Sequence, residues 1–110
     1  MTEQRTRLSI FLGESDHMHG KPVYHLLTLK ARQMGLAGAT VLRGLEGYGH
    51  HSRIHTANLL ELSTDLPMVF IAMDHEEKIL QFLKEAQQIV PDGLASLETV
   101  TLYPLGSTKL

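Results

Sequence analysis

Read for alternation alone, the chain opens on a strand. From Arg5 to Leu12, Thr6, Leu8, Ile10 and Leu12 share one face and Arg7, Ser9 and Phe11 the other, the period of two expected when one face is buried. Gly13 to Gly20 is polar and bounded by glycine, which predicts a loop. A helical period then takes over. Val23, Leu27, Ala31 and Met34 fall on one face with Leu26 beside them; Pro22 suits the first turn, Lys30 and Arg32 the last turns, and Gly35 the end. A second strand runs from Gly38 to about Tyr48, with Ala39, Val41 and Leu45 opposite Thr40, Leu42 and Glu46. Gly49 to Ala57 carries neither period and reads as a projecting loop. Leu60 and Leu62 alternate briefly, Ser63-Thr64-Asp65 turns the chain, and Leu66 to Met73 is nearly continuously apolar, a buried third strand whose first positions tolerate Pro67. Asp74-His75-Glu76-Glu77 has the form of a capping box. The helix after it places Ile79, Leu83, Ala86 and Val90 on one stripe, widened by Phe82 and Leu80, until Pro91-Asp92-Gly93 stops it. Leu97 to Tyr103 is the last strand, ended by Pro104-Leu105-Gly106.

Strand, helix, strand, strand, helix, strand is the order of the ferredoxin-like α+β sandwich, a βαββαβ chain whose four-stranded antiparallel sheet carries both helices on one face. At 110 residues, the whole of 1–110 is expected to form a single domain. The third strand is apolar at both parities, so its second face needs a cover too, and other copies of the chain would supply one. A homo-oligomer, closed into a ring, is the expectation.

Composition removes several functions. Ten Lys and Arg stand against twelve Asp and Glu, a net charge of −2, with no basic run, which argues against a nucleic-acid partner. With no cysteine, disulfides, thiolate metal sites and a cysteine nucleophile are excluded. The N-terminal residues lack the apolar segment of a secretory signal, and the run from Met68 to Met73 is too short to span a bilayer, so a soluble cytoplasmic protein is expected.

The candidate chemistry gathers around Gly38-Ala39-Thr40-Val41-Leu42-Arg43-Gly44-Leu45-Glu46-Gly47-Tyr48-Gly49. Glycines this dense weaken a strand interior, so they mark either a bulge leading into a hairpin loop or a backbone cup of N–H groups for an anion such as phosphate. Arg43 shares its parity with Val41 and Leu45, and a guanidinium there needs a carboxylate or phosphate partner: Glu46, Glu61 or Asp65 across a subunit boundary, or a ligand. Tyr48 packs at a rim or stacks on a base. His50, His51 and His55 form the densest histidine cluster and could close on copper, zinc or nickel, although their spacing is no recognised metal signature. His17 and His19 form a second, smaller group, and His25 and His75 read as helix-surface residues. No nucleophile elbow or phosphate loop is present, so an enzyme is not expected beyond a weak nucleotide-hydrolysing activity.

The glycine-rich stretch, with Arg53-Ile54-His55-Thr56 and Leu62-Ser63-Thr64-Asp65-Leu66-Pro67 after it, resembles the family known as domain of unknown function 190, similar in outline to PII-like signalling proteins. The resemblance implies a PII-like trimer with effector sites in the clefts between subunits. In PII proteins those clefts hold adenine nucleotides, and the loop after the second strand meets a partner. Carried onto this sequence, it implies Thr40 near the base of the site and Gly47 and Gly49 at the loop root. It also implies His50 and His51 in the place of phosphate-facing residues, and Gly93 from the segment before the last strand. The loop is shorter than in PII proteins and lacks a tyrosine to modify, and Pro91-Asp92-Gly93-Leu94 lacks the lysine that follows the glycine there. Arg43, Arg53 or the histidines would then meet the phosphates. The resemblance further suggests a membrane transporter or channel as partner, with Gly49 to Thr56 carrying the signal. The alternative is a metal-binding trimer similar to copper-tolerance proteins, using His50, His51 and His55.

Overall fold

The computed structural model describes residues 2–48, 55–56 and 65–110. In chain order its elements are β1 (Glu3–Gly13), β2 (His17–Met18), β3 (Lys21–Pro22), α1 (Val23–Gln33), β4 (Gly38–Arg43), β5 (Glu46–Gly47), β6 (His55–Thr56), β7 (Pro67–Asp74), α2 (Glu76–Ile89) and β8 (Leu94–Leu102). The main sheet has the order β4-β7-β1-β8, and every neighbouring pair in it is antiparallel. This is the ferredoxin-like arrangement the periodicities predict.

The alternation seen in the sequence decides which face is covered. Leu8, Ile10 and Leu12 of β1 and Met68, Phe70 and Ala72 of β7 point the same way and meet Val23, Leu27 and Ala31 of α1 and Ile79, Phe82 and Ala86 of α2 in one buried cluster. Phe70 and Phe82 stack with ring centroids 5.5 Å apart, a contact contributing about 0.5–1.5 kcal/mol beyond the area it buries. Phe82 is therefore a centre of the core rather than a widening of the stripe, and Leu83 and Val90 pack at its margin. Both helices lie on this face. On the other, Phe11 of β1, Leu42 of β4 and Leu94 of β8 are 45%, 51% and 73% exposed, and Val69 and Ile71 are half-buried.

Local expectations needed correction in five places. The second strand does not run on to Tyr48. It ends at Arg43, opposite Met68, because the next partner is Pro67, which accepts the Gly44 N–H at 2.7 Å but has no N–H to return. The chain then forms the short β5, paired to β6 through Glu46↔Thr56 and Gly47↔His55, so part of the expected projecting loop is a ladder. Asp74 is not a capping residue: the N-cap of α2 is His75, with no side-chain cap bond. The last strand starts at Leu94, three residues early, since Phe11 extends the ladder to it. The polar loop after β1 holds the two-stranded ladder of β2 and β3.

Candidate functional site

The corner at the end of β4 is assembled from three separate segments around the first residues of β7. Gly44 lies so close to Pro67 that a Cβ would stand 2.8 Å from Pro67 Cγ, and at Gly47 the same distance would be 3.3 Å. What approaches the glycine backbone is thus the chain's own proline. The loop between β1 and α1 closes the corner from the other side. Glu14 N–H donates to Leu66 O at 2.8 Å, Ser15 N–H to Asp65 Oδ1 at 3.1 Å, and Gly13 N–H to Asp16 Oδ2 at 3.0 Å. Arg43 Nε then meets Glu14 Oε2 at 3.1 Å. This partner is a glutamate of the same chain, from a loop in which no periodicity marked it; Glu61 lies outside the described residues.

The other carried-over residues separate. Thr40 sits opposite Ile71 on the open face of the sheet, whereas Arg43 has the parity of Val41, on the helix side, so the two do not share a face. Gly93 lies in the turn before β8, where a Cβ would stand 2.9 Å from the Phe11 carbonyl. A groove of about 450 Å³ opens beside it, lined by Ile10, Leu83, Ala86, Val90 and Leu94 among others. Gly49, His50, His51 and Arg53 lie outside the described residues, as do the side chain of His55 and the alternation around Leu60 and Leu62. Among the described residues no group of three or more His, Asp or Glu is placed to hold a metal.

The two halves share one end of the sheet but not one edge. Arg43 pairs with Met68, Met68 with Leu12, and Phe11, beside Leu12, with Leu94, next to Gly93. A single row thus leads from Arg43 on the β4 edge to Gly93 on the β8 edge. Three strand spacings make that row about 14 Å long, with β7 and β1 lying between its two ends.

At the opposite end of the sheet Asp74 joins three elements. Its carboxylate accepts from His75 N–H at 2.7 Å and Ala37 N–H at 2.9 Å, and lies 3.5 Å from Lys78 Nζ, which also donates to the Gly35 carbonyl at 2.6 Å. Burial pushes the Asp74 carboxyl up, but these backbone hydrogen bonds and the Lys78 ammonium outweigh it and hold the group below its ordinary value.

A ferredoxin-like chain with a glycine-bounded strand end and a sheet face that neither described helix covers is the general class these features define. The chain belongs to the family domain of unknown function 190, described as "Uncharacterized ACR", which it matches over residues 5–102. It is 42% identical over 98 residues to a UPF0166 protein of Aquifex aeolicus (strain VF5), covering 89% of this chain and 92% of the relative. Among solved structures it is similar to CPII, a nitrogen regulatory PII-like protein from Thiomonas intermedia K12 bound to ADP, AMP and bicarbonate. That match has a TM-score of 0.63 at 18% identity and covers 93% of this chain and 91% of the other. It is also similar to the divalent ion tolerance protein CutA1 from Ehrlichia chaffeensis, with a TM-score of 0.55 at 11% identity over 94% and 84% of the two chains. The fold is PII-like. No described helix is long and apolar enough to cross a membrane.

Proposed function

We propose that this protein is a regulatory, non-enzymatic sensor that assembles as a homotrimer and binds an adenine nucleotide in clefts between subunits. One observation carries the reading: the Arg43 and Gly47 corner and the Gly93 turn lie at the same end of one sheet on opposite edges, an arrangement in which a second copy can set one chain's corner against another's turn. The uncovered apolar face supports assembly, because burying Phe11, Leu42 and Leu94 removes exposed apolar surface from water. The likeness to a PII-like protein bound to ADP and AMP supports the ligand class.

In the assembled site Arg43 supplies the guanidinium for phosphate, with Arg53, His50 and His51 joining from the loop, while Gly47 and Gly49 shape the loop root, Gly93 shapes the opposite turn, and Thr40, on the open face, lies toward the base between subunits. The segment from Gly49 to Thr56 changes arrangement with occupancy and is read by a partner protein, a membrane transporter being the partner class the family resemblance suggests. Coupling requires only that the nucleotide bind one loop arrangement more tightly than the other.

The competing reading is a metal-binding trimer that uses His50, His51 and His55, and the likeness to CutA1 favours testing it. A thermal-shift series on metal-free protein with ADP, AMP, ATP, zinc, copper and nickel separates the two, with mass measured by sedimentation. ADP at about a hundred times its Kd should add about 2.7 kcal/mol of stability, and Arg43→Ala should remove that shift. A metal-only shift lost when the three histidines become alanine would replace the nucleotide reading with the metal one, and a monomeric mass would sink the shared cleft.

A further inference from the structure

We propose that Glu14 is a built-in competitor for the anion that Arg43 takes up, so that it sets the affinity of the site and links its occupancy to the β1–α1 loop. The inference rests on the nucleotide reading above and deepens it. Of the described carboxylates near this corner, Asp16 accepts from Gly13 N–H and Asp65 from Ser15 N–H. Glu14 instead turns its carboxylate onto the Arg43 guanidinium, Nε to Oε2 at 3.1 Å. Its own backbone is anchored to the residue before β7, through Glu14 N–H to Leu66 O at 2.8 Å, so the negative charge is delivered from a fixed point.

The pair is unequally sheltered. The Glu14 side chain is 21% exposed and that of Arg43 is 55% exposed, which leaves the arginine the more accessible of the two to an approaching ligand. Carboxylate and phosphate are alternative partners for a guanidinium fork. An incoming phosphate must therefore share Arg43 with a fixed negative charge or displace it, and both lower the affinity. Displacement has a second consequence. It removes the side-chain tie between the β1–α1 loop and the end of β4, while the backbone bonds to Leu66 and Asp65 remain and the Asp16 carbonyl still accepts from Val23 N–H, at the start of α1, at 2.9 Å.

The test is calorimetric titration of the full-length protein with ADP, comparing wild type, Glu14→Gln, Arg43→Ala and the double variant. Glu85→Gln, whose partner Lys30 lies 3.9 Å away between the two helices, controls for the change in net charge. Glu14→Gln should tighten ADP binding about two- to fivefold, the range expected for relieving one partly exposed ion pair. In the Arg43→Ala background it should neither improve nor restore binding. A Glu14→Gln affinity equal to or weaker than wild type, or an equal gain in the Arg43→Ala or Glu85→Gln protein, overturns the proposal. If ADP binds and Arg43→Ala weakens it while Glu14→Gln changes nothing, only this inference fails. If no variant binds ADP, the nucleotide reading fails and takes this one with it. Should Glu14→Gln melt early, Glu14→Asp, which withdraws the charge by one methylene, must shift affinity in the same direction or the proposal is wrong.

Discussion

The two faces of the sheet are built from the same strands and the same kinds of side chain, yet they meet opposite fates. Along β1, Leu8 is buried beneath the helices while Phe11, three residues on, is 45% exposed. Along β7, Phe70 is sealed against Phe82, and its neighbours Val69 and Ile71 are half-buried. Apolar character alone therefore does not define the core of the single chain. A strand's parity chooses the face, and the helices, both on one side, decide which face becomes interior. The helix side stabilises each subunit, and in the proposed assembly the open side joins subunits.

Substitutions can break that contrast. The largest effect should come from Phe70→Ala, which removes the stacked partner of Phe82 and leaves a cavity; it should cost about 3–5 kcal/mol in denaturant unfolding. Asp74→Ala should follow at about 1–3 kcal/mol, because it leaves the Ala37 and His75 amides and the Lys78 ammonium without their shared acceptor. The pH dependence has a definite sign. Since the folded Asp74 carboxyl lies below its ordinary value of 3.8, its contribution is complete well above that value and fades as pH falls through and below it. Asp74→Asn should flatten the acid limb of a stability profile, and an unchanged limb would show that Asp74 does not set it.

Gly44→Ala sharpens the comparison at the rim, where a Cβ would press on Pro67 Cγ; about 1–3 kcal/mol of destabilisation is expected from this overpacking, visible as a lower unfolding midpoint. The smallest effect on the folded subunit belongs to Phe11→Asp. It should lower subunit stability by only about 1 kcal/mol, since nearly half of the ring already meets water, while shifting the proposed trimer to smaller species in sedimentation. A large loss of subunit stability with assembly intact would invert the roles given to the two faces.

Much of the architecture was legible because it is periodic. Leu8, Ile10 and Leu12 announced a half-buried strand, and Val23, Leu27 and Ala31 a helical stripe, and each set occupies the face its spacing implies. The candidate corner was legible only in part. Its glycines signalled a close approach, but a phosphate and a proline demand the same bare backbone, and nothing local separates them. Glu14 left no trace at all, being one acidic residue in a polar loop. The capping-box pattern at Asp74 misled for a related reason: a carboxylate beside a helix start is equally able to bind amides from elsewhere, and Ala37 lies nearer in space than in sequence.

The order of strands and helices, the parity of each strand and the lack of thiol chemistry are written in the residues, since all three depend on residue type and on neighbours a few positions away. The meeting of Arg43 with Glu14, the filling of the space beside Gly44 by Pro67, and the placing of Arg43 and Gly93 at opposite ends of one row across the sheet exist only in the folded chain. Those relations join residues tens of positions apart, and they follow from strand order and register, which the packing of the whole chain selects.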